Sequence, residues 1–197
     1  MRAPKLRELK EAVTALLCGP YTASFPAEPT PLPDTFRGRP RFDQEGCVGC
    51  GACSNVCPAG ALELADDART RTRTLTICLD RCIFCGQCVA NCLTEKGVRQ
   101  TQEYDLATTD RSTLREQIQK PLLLCEACGA IIGAEPHVRW VAERLGPLAF
   151  ANPTLMLALL EDLGVADKEP PPSTDLRRGD KLRILCPKCR HVTSLLA

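Results

Sequence analysis

The sequence predicts an α+β protein that is organised around metal centres and not around one large apolar core. Fourteen of its 197 residues are cysteines, and eight of these fall into two copies of one spacing. Four more form two distant C-x-x-C pairs, and aromatic residues make up only 4% of the chain. Because bulky apolar side chains are few, we expect bound metal to supply much of the free energy of folding.

Both copies of the repeated spacing read C-x2-C-x2-C-x3-C, within GCVGCGACSNVCPAG and RCIFCGQCVANCLTE. This run holds two cubane 4Fe–4S clusters in bacterial ferredoxins, and it predicts a two-cluster ferredoxin-like domain over residues 44–104. A pair of zinc knuckles or a disulfide scaffold is the alternative, and two complete runs make it much the weaker one. The eight cysteines are Cys47, Cys50, Cys53, Cys57, Cys82, Cys85, Cys88 and Cys92.

Cluster ligation is expected to cross between the two copies. Three closely spaced cysteines on one loop can cap three corners of a cube, whereas the fourth lies too far round to reach the same cube. The first cluster is therefore predicted on Cys47, Cys50, Cys53 and Cys92. The second is predicted on Cys57, Cys82, Cys85 and Cys88.

The residues around these cysteines fit close wrapping of the backbone, with one departure. Gly49, Gly51, Gly60 and Gly86 provide turn angles that other residues avoid. Pro58 follows the last cysteine of the first copy, but Leu93 stands at that place in the second. Since proline only shapes the turn after the ligand, we expect the second cluster to form as well.

Residues 1–43 are predicted to form an N-terminal helix and a Pro-rich extended arm. The apolar residues of 4–18 recur at helical spacing, so this helix covers either the protein's own core or a membrane surface or neighbouring subunit. Residues 20–43 contain many prolines and no periodicity, which predicts an extended segment. Its aromatic residues favour a strap across a partner over a free linker, and they are Tyr21, Phe25, Phe36 and Phe42.

Residues 105–197 are predicted to form a C-terminal helical segment with four-cysteine knuckles. Short helices are expected at 112–120, 135–145 and 152–164, the last capped by Asn152. Two apolar strands are expected, each ending in a C-x-x-C pair, which resembles the two knuckles of a zinc ribbon. The metal ligands predicted there are Cys125, Cys128, Cys186 and Cys189.

Three interpretations of this four-cysteine set stay open. A structural zinc is favoured, a single rubredoxin-like iron is the alternative, and unmetallated cysteines are the third. His137 and His191, the two histidines, are expected at the surface. Cys18 and Cys78 are surplus thiols, more typical of small buried side chains than of ligands.

Charge and motifs exclude several classes of function. The net charge is +1, so no polyanionic partner such as nucleic acid is implied. The sequence shows no signal peptide and no long apolar run, and cysteines without a secretion signal favour the reducing cytoplasm. No nucleophile–base set, phosphate-binding loop or dinucleotide fingerprint is present, so we predict an electron carrier without a catalytic site of its own.

The order of these segments resembles a known family. FRGRPRFD, then GCVGCGACSNVCPAGAL, CIFCGQCVANC and QEYDLA, then two distant C-x-x-C pairs, is similar to the ferredoxin-type subunits of formate hydrogenlyases and related membrane-bound group 4 nickel–iron hydrogenases. The arm and both cluster motifs are also similar to the chain-I subunits of respiratory complex I.

The resemblance implies an electron relay through two 4Fe–4S clusters. The expected partners are the hydrogenase small and large subunits and an electron donor such as formate dehydrogenase acting through a polyferredoxin. It also implies a place on the cytoplasmic face of the inner membrane, within a membrane-bound complex. Two alternatives remain, a two-cluster subunit of an NADH- or ferredoxin-quinone oxidoreductase and a free ferredoxin with a zinc module.

Overall fold

The computed structural model describes residues 5–19, 22, 25–28, 30–165, 176 and 183–195. The chain divides into a unit of residues 1–36 and a unit of residues 37–197. In the first unit, helix α1 (Leu6–Cys18) begins where the Glu8 carboxylate accepts a hydrogen bond of 3.0 Å from the backbone N–H of Lys5. None of its residues is buried, and its apolar stripe is exposed. The predicted helix is confirmed.

The last part of the predicted arm is a strand of the second unit. Strand β1 (Pro40–Phe42) pairs antiparallel with β4 (Val98–Gln100), and just before it Gly38 N–H donates to the Thr101 carbonyl at 2.9 Å. Phe42 packs against the buried core of this unit. The prediction of a strap across a partner is therefore wrong for residues 38–42. Tyr21 lies outside the described residues.

A four-stranded antiparallel sheet, in the order β2-β3-β5-β6, runs through the second unit. Its first two strands, β2 (Leu62–Asp67) and β3 (Thr72–Cys78), form a hairpin between the two cysteine runs. Each run contains one short helix, α2 (Ala52–Asn55) and α3 (Gln87–Ala90). The apolar residues between these elements form the core nearest the cysteines, and they are Leu62, Ile77, Leu79 and Val98.

Strand β5 (Arg115–Leu124) occupies most of the segment that the sequence predicted as a helix at 112–120, so that prediction is wrong. Asp110 caps only a short 3-10 turn, Arg111–Thr113. The residues that follow alternate between exposed and inward-facing positions, which is the period of a strand. Pairing with the whole of β3 overrides the weak helical propensity, and it joins the C-terminal region to the cysteine-rich region in one sheet.

The remaining elements are β6 (Ile131–Ala134), α4 (Glu135–Leu145), a 3-10 segment (Gly146–Ala151), α5 (Pro153–Asp162) and α6 (Pro187–Leu195). The two predicted helices at 135–145 and 152–164 are confirmed. The Asn152 side chain accepts from the backbone N–H of Thr154 at 3.0 Å, as its N-cap position predicts. Of the Pro-rich loop at 168–180, only residue 176 is described. No helix within the described ranges is long and apolar enough to cross a membrane.

Candidate functional site

A first cavity, of about 310 Å³, lies beneath the first cysteine loop. Three of its lining cysteines come from the first run, and the fourth comes from the end of the second run. Apolar side chains such as Phe42, Leu75 and Val98 form much of the remaining wall, so the thiols face a dry space. The four cysteines are Cys47, Cys50, Cys53 and Cys92.

A second cavity, of about 370 Å³, is lined by three cysteines from the second run and one from the first. Three cysteines of the second run meet the last cysteine of the first run, beside Leu62, Ile77 and Phe84. The structure therefore gathers the eight cysteines into the two crossed sets that the spacing predicted. The four cysteines here are Cys57, Cys82, Cys85 and Cys88.

The backbone around the cysteines turns tightly at left-handed residues. Gly51 and Gly86 both have φ of +78° and begin the helices α2 and α3. A Cβ at Gly51 would lie 2.6 Å from the Leu64 side chain, and one at Gly97 would lie 3.2 Å from the Cys92 Sγ. A side chain at Gly51 or Gly97 would therefore crowd the wall of the first cavity, and one at Gly86 beside the second would lie 3.3 Å from the Gln100 Oε1.

Two backbone donors point at cysteine sulfurs, and a hydroxyl lies beside a third. The backbone N–H of Ala61 donates to the Cys57 Sγ at 3.2 Å, and the N–H of Phe84 donates to the Cys82 Sγ at 3.5 Å. The Thr94 Oγ1 lies 3.5 Å from the Cys92 Sγ, and either atom could be the donor of that contact. Hydrogen bonds to sulfur favour the thiolate and are among the factors that set the potential of an iron–sulfur cluster.

Thr94 also explains how the chain turns after Cys92 without a proline. Its hydroxyl donates to the Gly46 carbonyl at 2.7 Å and so ties the end of the second run to the start of the first. Leu93, at the place of the missing proline, is partly exposed. Sequence reasoning overlooked Thr94. Its only signal was a hydroxyl residue two positions after a ligand cysteine.

Burial makes two thiols of the first cavity, those of Cys47 and Cys53, poor acids on their own. Burial raises the pKa of Cys53 to about 12 and also raises that of Cys47. For Cys92 burial acts in the same direction, but hydrogen bonds from Thr94 and from nearby backbone N–H groups leave its pKa lowered. Four thiols converging in a dry cavity become thiolates when a cation neutralises them, so this donor set fits an iron–sulfur cluster.

A third group of cysteines lies at the C-terminal end of β5. Its four sulfur atoms lie within 4.8 Å of one another, and the Sγ atoms of Cys128 and Cys186 are 3.7 Å apart. Four thiolates about 2.3 Å from one tetrahedral ion would be about 3.8 Å apart, so the spacing fits a single metal ion. The four cysteines are Cys125, Cys128, Cys186 and Cys189.

The two C-x-x-C pairs reach this group by different routes. Cys125 follows β5 directly, and Gly129, with φ of +71°, donates from its N–H to the Cys125 carbonyl at 2.8 Å. Cys186 immediately precedes α6, and Cys189 lies within that helix. The expectation of two strands as in a zinc ribbon is therefore wrong for the second pair, which begins a helix.

The thiols of this group differ in acidity. Burial raises the pKa of Cys125, but backbone N–H groups of Cys186, Cys128 and Ala127 outweigh it and bring the pKa to about 7. Burial and hydrogen bonds with the other thiols raise the pKa of Cys189 to about 12. A cation that binds here would meet one thiol ready to ionise and would deprotonate the rest.

The other candidate residues stay outside these three groups. His137 is half-buried, and burial together with the charge of Arg73 lowers its pKa, so its predicted surface position is only partly right. His191 is exposed on α6, as predicted. Cys18 is exposed at the end of α1, contrary to its expected burial, whereas Cys78 is fully buried on β3.

Comparison with known proteins places the cluster region in a described family. The family described as 4Fe-4S dicluster domain matches residues 46–96. Formate hydrogenlyase subunit 6 of Escherichia coli is 36% identical over 120 residues, which are 61% of this chain and 66% of that protein. NADH-quinone oxidoreductase subunit I 2 of Geobacter metallireducens is 33% identical over 120 residues, which are 56% of this chain and 90% of that protein.

A third relative is matched over a shorter part of its length. NAD(P)H-quinone oxidoreductase subunit I of Gloeobacter violaceus is 34% identical over 100 residues, which are 48% of this chain and 47% of that protein. The chain thus spans less than two thirds of the formate hydrogenlyase and Gloeobacter relatives, with 66% and 47% of their lengths.

Proposed function

The chain belongs to the family of two-cluster 4Fe–4S subunits that includes NADH-quinone oxidoreductase subunit I and formate hydrogenlyase subunit 6, and on this basis we propose that it relays electrons within an oxidoreductase complex. The observation that carries the proposal is the crossed arrangement of the two cavities. Each takes three cysteines from one run and one from the other, which is the ligation of two-cluster ferredoxins.

The residues proposed to hold the clusters are the eight cysteines that line the two cavities. A bound 4Fe–4S cluster supplies the capacity to accept and release one electron. The chain supplies the thiolates, the N–H donors of Ala61 and Phe84 at the sulfurs, and walls that are largely apolar. Cys53 of the first set and Cys88 of the second belong to one buried cluster of side chains, so both clusters would lie within one small domain.

The four-cysteine group at Cys125, Cys128, Cys186 and Cys189 is proposed to hold one structural zinc. The 3.7 Å separation of two of its sulfurs supports a single tetrahedral ion. Iron would accept the same geometry, and it would add a third redox centre. Zinc is preferred because a closed set of four thiolates that joins β5 to α6 serves to hold the C-terminal segment together.

We propose a place between an electron-donating module and a membrane-bound nickel–iron hydrogenase, on the cytoplasmic side of the membrane. The donor would be formate dehydrogenase through a polyferredoxin, and the acceptor would be the small subunit of the hydrogenase. The match to formate hydrogenlyase subunit 6 over 120 residues supports this assignment. The chain itself would perform no catalysis.

A second candidate is the equivalent subunit of an NADH- or ferredoxin-quinone oxidoreductase. The observation in its favour is the match that covers 90% of the Geobacter subunit. The two candidates share the cluster chemistry and differ only in the complex around it.

Anaerobic purification of the native complex from its host, with nickel, iron and zinc measured on one sample, distinguishes the candidates. Nickel that co-elutes with a large partner, together with about one zinc and more than about eight irons per copy of this chain, supports the hydrogenase assignment. A nickel-free complex that contains flavin supports the quinone oxidoreductase. Elution of this chain alone with both clusters supports a free ferredoxin.

A further inference from the structure

A lysine interrupts the inward-facing side of strand β5. Ile118 and Leu122 on this side are buried, with only 3% and 4% of their surfaces exposed. Lys120 lies between them on the same side, because alternate residues of a strand share a face. The alternation predicts an apolar residue at this position. Lys120 is half-buried there, so its stem is covered while its charge stays beside the first cysteine loop.

The position of Lys120 over the first cysteine loop explains the exception. Its Nζ donates to the Gln44 carbonyl at 2.5 Å, and its aliphatic stem lies on Gly49, where an added Cβ would be 3.1 Å from the Lys120 Cγ. Gly49 is the residue between Cys47 and Cys50 that has left-handed backbone. None of the ion pairs found among the described residues involves Lys120, so no carboxylate cancels its charge.

The contacts of Lys120 lie on both sides of Cys47. The Gln44 carbonyl that it binds comes three residues before this cysteine, and Gly49, against which its stem lies, comes two residues after it. A positive charge held at this loop stabilises further negative charge placed on a cluster that the loop binds.

The other cations near the two loops act more weakly. Arg73 donates to the Gly49 carbonyl at 2.8 Å, but it also pairs with Asp66 at 2.7 Å, which neutralises it. At the second loop, Arg37 donates to the Cys85 carbonyl at 3.1 Å from an exposed position, where water and salt screen its charge. The half-buried, unneutralised charge is therefore found only at the first loop among the described residues.

We propose that Lys120 raises the reduction potential of the cluster held by Cys47, Cys50, Cys53 and Cys92, so that an electron shared between the two clusters rests on this one. The inference builds on the proposed two-cluster function. One electron from a reductant adds one negative charge to the cluster, and the ammonium of Lys120 stabilises that charge without any proton transfer. Lys120 thereby creates a difference in reduction potential between the two clusters that favours electron transfer from the second cluster to the first.

The test is a redox titration of the anaerobically purified, cluster-loaded full chain, monitored by EPR with dithionite as the reductant. Lys120→Gln and Lys120→Met remove the charge, and the second keeps the length of the stem. Both are expected to shift one midpoint potential downward and to leave the other unchanged. Lys120→Arg keeps the charge and should restore the value of the unmodified chain.

Two further variants make the result specific. Cys50→Ser alters the EPR signal of the first cluster and so identifies which potential belongs to it. Arg115→Gln removes one positive charge from an exposed position of the same strand and should move neither potential.

Two results would overturn the inference. One is the assembly of both clusters in Lys120→Gln or Lys120→Met with unchanged potentials. The other is a shift confined to the second cluster. Either would leave the proposed function intact. If the unmodified chain holds no pair of 4Fe–4S clusters, the proposed function fails, and the inference fails with it.

Discussion

Gly49 and Phe84 occupy the same place in the two cysteine loops, and both have left-handed backbone, with φ of +71° and +54°. Strand β6 packs closely against Gly49, since an added Cβ would lie 3.0 Å from the Ala134 Cβ. Phe84 tolerates the same conformation and contributes its ring to the wall of the second cavity. The two cysteine loops thus share a left-handed backbone at this position, and residues of β5 and β6 cover the first loop.

Gly49→Ala is expected to destabilise the cluster-loaded chain by roughly 2–4 kcal/mol, because the left-handed conformation and the contacts with Ala134 and Lys120 both penalise a side chain. Gly60→Ala is a matched control. Gly60 also has positive φ, at +58°, but an added Cβ there would meet nothing within 4 Å. It should lose only about 1 kcal/mol. Thermal unfolding under anaerobic conditions measures both, and equal losses would contradict the close packing of the first loop.

Cys88→Ser is expected to remove or disable the second cluster. The iron content should fall by about half, because the first cluster takes its ligands from a different crossed set. Cys18→Ser, at an exposed cysteine far from either cavity in sequence, should leave the iron content unchanged. Iron and inorganic sulfide analysis of the purified variants checks the prediction. Full iron content and unchanged EPR signals in Cys88→Ser would refute its role as a ligand.

Cys189→Ser should release the ion at the C-terminal group and leave both iron–sulfur clusters in place. The expected changes are the loss of about one zinc per chain and weaker protection of α6 from proteolysis. Metal analysis together with limited proteolysis measures both. Loss of iron in place of zinc would identify a rubredoxin-like centre.

Glu116→Ala is expected to loosen the attachment of strand β1 to strand β5. One carboxylate oxygen of Glu116 accepts from the Phe42 N–H at 3.1 Å, and the other accepts from Arg39 at 3.1 Å. Both charged side chains are largely buried, so the loss should be about 1–3 kcal/mol. Denaturant titration of the loaded chain measures it.

Glu103 offers the control for that change, because its ion pair with Arg41 lies near the surface. The exposed fraction is 48% for the Glu103 side chain and 42% for that of Arg41. Glu103→Ala should lose less than about 1 kcal/mol, as surface ion pairs do. A larger loss from Glu103→Ala than from Glu116→Ala would show that the buried carboxylate does not anchor β1.

The crossed gathering of the cysteines was predictable, because ligand spacing is local and the geometry of a cube is strict. Helix α5 was predictable from Asn152 and Pro153, which mark its first turn within a few residues. Strand β5 was not, because its structure comes from pairing with β3, about forty residues earlier in the chain. The charge of Lys120 on the first loop depends on that same pairing, which sets it opposite Arg73, so no local pattern could have indicated it.

The measurement that tests the central claim most directly is the iron and inorganic sulfide content of the anaerobically purified full chain, together with its EPR spectrum after reduction. The account predicts about eight irons and about eight sulfides per chain, with signals of two magnetically interacting 4Fe–4S clusters. Zinc in place of iron at the eight cysteines, or about four irons and the signal of one isolated cluster, would contradict it.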